Sequence, residues 1–289
     1  MLELKPDFSN YGEYAILAII YSDQKKPDMA NAAFQQFSQR TSPLSRLYVP
    51  EFQAQLKLSA GDFEGALDSY REAVLQLEQA RQNDAAGQCL QPLGVLSVLL
   101  GQSSWMLSFV QQQNLNDEQL PAIAFLQTIA GNVSASGQTL EKYASSHPWI
   151  SPRGIEIRQE IFDMVAAVEK GDGQAALNHI AHLPESDNEY RLFFKGRAHL
   201  LTNDYASAEQ EFRGALQSER NIENSAATLQ RFPALGVLSH YYLGQLYERT
   251  GKHEQAINEY QEFLSHFASS HTRLAQVGEA RNALKRLMQ

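Results

Sequence analysis

A small residue, a second small residue twelve positions on and an aromatic ring four beyond that: this spacing occurs four times in the 289-residue chain. It is most complete in "YYLGQLYERTGKHEQAINEYQEFL", Tyr241 to Leu264, where Gly244, Ala256 and Tyr260 carry it. Gly196, Ala208 and Phe212 repeat it, as do Ala54, Ala66 and Tyr70, and Ala18, Ala30 and Phe34. In three of the four a turn residue falls between the small ones: Gly251, Asn203 and Gly61. Ala256 and Tyr260, four apart, share one face of a helix. Glycine best tolerates the left-handed conformation that closes a helix. Each unit therefore reads as helix, tight turn, helix. The small residues permit close approach of the two helices, and the aromatics fill the space beside them.

Weaker units lie between these. "LGVLSVLLGQSSWMLSFV" has Leu93-Gly94 and the turn Gly101, with Met106 in place of the small residue. "MVAAVEKGDGQAALNHI" has Gly171 and Ala176, and the unit around Gly131 ends at Pro148. β-Branched residues are sparse while Ala, Leu, Gln and Glu abound, a helix-forming composition. No stretch alternates cleanly enough for a strand.

These residues resemble the tetratricopeptide repeat, a helix–turn–helix of about 34 residues with the pattern W-x₂-L-G-x₂-Y…A-x₃-F…P. The resemblance is strong from Tyr241 to Phe263, good from Phe194 to Ala215 and from Phe52 to Ala73, and uneven elsewhere. The turns at 61, 101, 131, 171, 203 and 251 depart from a regular period, and the extra length from Gln217 to Phe232 implies longer helices or an ordered insertion. Phe263 stands where the family prefers Ala. The resemblance implies an all-α superhelix of about seven helix pairs. The final stretch, with Leu274, Val277, Leu284 and Leu287 at helical spacing and Thr272 as N-cap, is expected to form the end helix that such an array needs.

"SSHPWISPRG", with Pro148 and Pro152 around Trp149, reads as a loop or helix start. It divides the expected array into N-terminal repeats at 1–150 and C-terminal repeats with the end helix at 151–289. "LELKPDF" reads like the end of a preceding repeat, so the chain is expected to be the C-terminal piece of a longer protein or to carry an introduced Met1.

The net charge of −9 argues against sequence-independent binding to nucleic acid or anionic lipid. No apolar run reaches the ~18 residues of a membrane span. Cys89, the only cysteine, fits a reducing compartment and is expected as a small core residue; a cytoplasmic location follows. There is no Gly-rich phosphate loop and no nucleophile elbow. His179 and His182 could begin a metal site, but no third ligand sits at a known spacing, and exposed or packed positions explain them better. The same holds for His240, His253, His266 and His271. Glu156, Glu160 and Asp163 share a helical face and could pair for acid–base work, although a solvated face explains them better. "NVS", from Asn132, matches a glycosylation sequon and, without a secretory signal, carries no weight. No catalytic centre, cofactor or metal is expected.

The resemblance implies a binding surface on the concave side, lined by the first helices. The groove positions are then Tyr241, Gln245, Glu248 and Arg249 in the clearest unit, and Tyr190, Phe193, Arg197 and Leu200 in the unit at Gly196. They are Tyr48, Glu51, Gln55 and Leu58 in the unit at Ala54, and Ala15, Ile19 and Asp23 in the first. Aromatics packing between repeats compete with this assignment. A partner protein or peptide is expected in this groove, with Arg197→Glu or Tyr241→Ala weakening its capture without altering melting. The Lys/Asn clamp by which chaperone co-factors of the family grip a peptide terminus is replaced by Ala15, Glu51, Tyr241 and Ile19, Gln55, Gln245, which argues against that role.

The closing pattern Y-x-L-G-x₂-Y…G…A-x₃-Y-x₂-FL with a short end helix resembles the C-terminal arrays of large bacterial signalling proteins, which follow a Ser/Thr kinase or a DNA-binding regulator domain. The expected function is a non-catalytic interaction scaffold, the regulatory or sensory region of such a protein. The alternatives are a free-standing scaffold in assembly or envelope biogenesis and an enzyme with an unrecognised surface site.

Overall fold

A computed structural model describes residues 11–24, 26–40, 45–185, 188–220, 232, 234–267 and 272–289. Among these residues there are fifteen α-helices and no strand. Seven helix pairs follow in order: α1 (Tyr11–Asp23) with α2 (Pro27–Arg40), α3 (Val49–Ser59) with α4 (Phe63–Gln79), and α5 (Asn83–Leu99) with α6 (Ser103–Gln111). Then come α7 (Leu120–Ile129) with α8 (Val133–Ser146), α9 (Pro152–Glu169) with α10 (Gly173–Ala181), and α11 (Glu189–Leu201) with α12 (Tyr205–Arg220). The seventh is α13 (Ala234–Arg249) with α14 (His253–Ser265), and α15 (Ala275–Leu287) ends the chain. The members of each pair pack on each other, and successive pairs stack. This is the all-α superhelix with an end helix that the repeat spacing predicts.

One backbone device makes the turns. At Gly61, Gly101, Gly131, Gly171 and Gly251 φ lies between 67° and 83°, and at Asn203 it is 61°. At Gly61 the amide reaches back to the Leu58 carbonyl at 3.0 Å, and the Asp62 amide to that of Lys57 at 2.8 Å. These two bonds satisfy carbonyls that the helix end leaves open. The following residue starts the next helix: Asp62, Asn132, Asp172 and Asp204 each accept a backbone N–H three residues on. Asn132 of the sequon motif is thus a cap. A seventh turn of the same form, at Arg81 (φ 56°), links α4 to α5. No glycine marks it.

The small residues act as the spacing implies. A methyl group at Gly244 would stand 2.7 Å from the Tyr260 ring, and one at Gly196 would stand 2.8 Å from the Phe212 ring. Ala208, Ala256, Phe212 and Tyr260 are buried. In the unit with Met106 the glycine meets a different neighbour: Gly94 lies against Phe125 of α7, the next first helix. Pro152 occupies the first turn of α9, where its missing N–H loses no bond, and Ser151 caps it. Cys89 is buried, and burial, then the Glu51 charge, push its thiol far above the ordinary range.

The superhelix closes on itself. α13, from the last pair, packs against α3 of the second. α13 is accordingly buried on all sides, from Ala234 through Tyr247, rather than along one stripe. A chain of aromatic contacts runs from Tyr190 through Phe194, Phe193, Tyr242, Tyr241, Phe263 and Phe267 to Phe63. No helix among the described residues is long and apolar enough to cross a membrane.

Candidate functional site

Four of the seven residues expected on the C-terminal groove meet in one place. Tyr241, Gln245, Glu248 and Arg249 of α13 line a cavity of about 430 Å³, closed by Tyr260 of α14 and by Glu279, Asn282, Ala283 and Arg286 of α15. The heptad-like steps from Tyr241 to Gln245 and Glu248 set their side chains in a row on one helix face. α15 lies alongside α14 in the place a next first helix would take, so its own inward face becomes the opposite wall.

The cavity has two internal networks. The Tyr241 phenol donates to Glu279 and accepts from Gln245 Nε2 at 2.6 Å. The Tyr260 phenol donates to Glu248 Oε2 at 3.0 Å, while Arg286 donates to Glu248 Oε1 at 2.8 Å. Burial, then the adjoining carboxylate, pushes both phenols well above their ordinary value, so they remain donors across the physiological range. Glu248 and Glu279 are thus already engaged, as is Arg286. Arg249 is exposed at the rim and lacks any such bond among the described residues. The arrangement offers hydrogen-bonding walls and two cations, Arg286 held by Glu248 and Arg249 at the mouth.

Tyr190, Phe193 and Arg197 do not reach this cavity. Phe193 is fully buried, in contact with Phe212 and Tyr242. Tyr190 is half-buried against Phe194. Arg197 donates to Glu169 at 2.5 Å and lies over the Tyr242 ring, 5.0 Å from its centroid. Arg197→Glu would set a second carboxylate beside Glu169 and remove the cation from the Tyr242 ring, and Tyr241, with 2% exposure, carries packing as well as a hydroxyl. The expectation that melting survives Arg197→Glu or Tyr241→Ala is therefore replaced by a loss of stability in both.

In the second unit, Leu58 and Gln55 are buried and burial pushes the Glu51 carboxyl up to about 7. The other candidates have structural partners. Glu160 pairs with His179 at 2.7 Å and His182 at 3.1 Å, Glu156 with Arg153 at 3.0 Å, and Asp163 with Gln159 at 3.1 Å. His240 pairs with Glu259 at 2.7 Å, His253 is exposed, and His271 lies outside the described residues. Among the described residues no group of three or more His, Cys, Asp or Glu side chains is placed to hold a metal ion. The stretch 1–10 and most of the Gln217–Phe232 segment also lie outside the described residues.

The α15 wall is not among the groove positions expected from the sequence, where the end helix serves as a cover for the last repeat. Its Glu279, Asn282 and Arg286, at helical spacing, were the available signal. Thr272 is not the N-cap of α15: Leu274 holds that position, and the Thr272 hydroxyl accepts the Leu274 N–H at 3.2 Å.

A family model agrees with the reading of the last unit. Residues 239–270, which take in most of α13 and all of α14, match the family model of the tetratricopeptide repeat. No curated protein matches the chain. Among solved structures, the chain is similar to a tetratricopeptide repeat protein from Parabacteroides merdae, at 13% identity and TM-score 0.46, over 98% of this chain and 100% of that one. It is also similar to the APC/C hetero-tetramer Cut9-Hcn1, at 12% identity and TM-score 0.45, over 98% of this chain and half (50%) of that chain. A third is the TPR2AB-domain:pHSP90-complex of yeast Sti1, at 12% identity and TM-score 0.36, over 97% and 99% of the two chains.

Proposed function

We propose that the chain is a non-catalytic scaffold that holds a segment of a partner protein in the cavity between α13 and α15. The observation that supports this is the convergence of Tyr241, Gln245, Glu248 and Arg249 with Glu279 and Asn282 around one opening. The two wall carboxylates are engaged and Arg249 is not, so the complementary segment carries an acidic side chain for the rim. Tyr and Arg are common anchors at such contacts.

Selection of peptides from a random library on the immobilised full chain tests this. Enriched peptides should contain Asp or Glu, and Arg249→Glu should weaken their binding at least about tenfold, by about 1.4 kcal/mol or more. Arg281→Glu, on the same helix as the far wall but outside the lining, should leave it unchanged. Enrichment of nothing, or equal binding by the Arg249→Glu chain, would falsify the assignment.

The wider setting we propose is the regulatory or sensory region of a larger cytoplasmic signalling protein, such as a bacterial Ser/Thr kinase. Its support is the closing Y-x-L-G-x₂-Y…FL pattern with a short end helix. The reading frame before Met1 decides it: a kinase or helix-turn-helix segment there sustains the proposal, and a stop codon ends it.

A further inference from the structure

The last pair is tied to the second across the closed superhelix. Phe63, the first residue of α4, packs on Phe267 with ring centroids 5.6 Å apart. A His266 ring nitrogen donates to the Ser59 carbonyl at 3.1 Å. One carboxylate, Glu64, accepts from the Thr272 hydroxyl at 2.9 Å and from the Arg273 backbone N–H at 2.5 Å. These bonds join residues 207 to 209 positions apart. In an open stack of repeats, each unit meets only its neighbours.

Gly61 shows how specific the closure is. Of the five glycines with left-handed φ, Gly101, Gly131, Gly171 and Gly251 have open space where a methyl group would sit. At Gly61 that methyl would stand 2.4 Å from the His266 carbonyl oxygen and 3.0 Å from the Phe267 ring. The turn chemistry is the same at all five; only Gly61 is also a contact surface.

Thr272 and Arg273 lead directly into α15, and α15 supplies Glu279, Asn282 and Arg286 to the cavity wall. No side chain caps α15 at Leu274. We infer that the clasp formed by Gly61, Phe63 and Glu64 of the second unit holds the α15 wall in place, with Glu64 as its positioning residue. Release of the clasp loosens the wall, so closure of the array and occupancy of the cavity are linked. Such linkage is reciprocal: a segment that binds the closed cavity tightens the clasp, and whatever opens the clasp lowers affinity at the cavity. This regulation rests on the reading of the cavity as a docking site.

Hydrogen exchange on the full chain, with no ligand added, tests the clasp by itself. Glu64→Gln removes the charge that receives two donors, and Gly61→Ala drives a methyl group into His266. Gly101→Ala imposes the same left-handed strain where there is open space, and so serves as the matched control. The two clasp variants should speed exchange in α15 by about tenfold, leaving α9 and α10 as in the native chain, while Gly101→Ala leaves α15 protected. Equal protection of α15 in all three chains overturns the inference. So does uniform acceleration of every helix in the clasp variants, which would make the contact a source of global stability only. If α15 loosens as expected but no peptide is captured by the native chain, the docking assignment fails and the brace stands.

Discussion

α3 and α13 present equivalent repeat positions toward the inside of the superhelix and end in opposite surroundings. In α3 these positions are largely covered: Leu58 has no exposed surface, Gln55 has 3%, and Glu51 is half-buried, its carboxyl raised to about 7 by burial. In α13 the matching row begins buried at Tyr241 and ends at Arg249, exposed at the mouth of a cavity. The difference comes from what lies opposite. α3 is packed against by a helix from the far end of the chain, whereas the last turns of α13 enclose a cavity with α15, bridged by the Tyr241–Glu279 and Glu248–Arg286 bonds. A groove position is therefore a site only where the superhelix leaves it uncovered.

Substitutions in the two rows should separate core from site. Leu58→Ala, on the covered side, should destabilise the fold by about 2–5 kcal/mol, because a fully buried leucine leaves a cavity that its neighbours only partly fill. Chemical denaturation would show it; a loss below about 0.5 kcal/mol would mean that the α3 face is open in solution.

Glu51→Gln should act through pH. With its folded value raised from 4.5 to about 7, Glu51 keeps a proton that the unfolded chain has already released. Stability from this group is then complete below pH 4.5, declines as pH rises through about 7, and is flat beyond. The Gln variant should match the native chain at pH 4 and exceed it at pH 8, by on the order of 1–3 kcal/mol. A difference between the two chains that does not change with pH would show that the carboxyl is solvated.

The smallest effect belongs to the open end. Arg249→Ala should change stability by less than about 0.5 kcal/mol, as befits an exposed side chain without a bond. A clear drop in the midpoint of melting would place Arg249 in the fold rather than at the site.

The helix pairs were legible because they rest on local chemistry. Gly244 and Gly196 must be small where the Tyr260 and Phe212 rings press on them, and the turn at 251 must be left-handed; both requirements leave marks at fixed offsets. The Arg81 turn left none, since an ordinary residue there occupies the left-handed region. Nor does the Leu-Gly pair say which neighbour the glycine serves: Gly244 receives a ring from its own pair, and Gly94 lies against Phe125 of the next. Of the nine residues around the candidate site, Tyr241, Gln245, Glu248 and Arg249 were legible as groove positions. Phe193 satisfied the same positional rule yet lies in the core, because the rings of Phe212 and Tyr242 cover it.

By itself the sequence determined the helices, their pairing and the turns between them, since each depends on residues within one or two helical lengths. Only the tertiary structure decided which inward positions see solvent, that α15 forms a wall, and that Glu64 reaches Thr272 and Arg273. Those outcomes depend on how the pairs stack along the array until the last meets the second. No single repeat encodes that stacking, so it cannot be read from any one stretch of the chain.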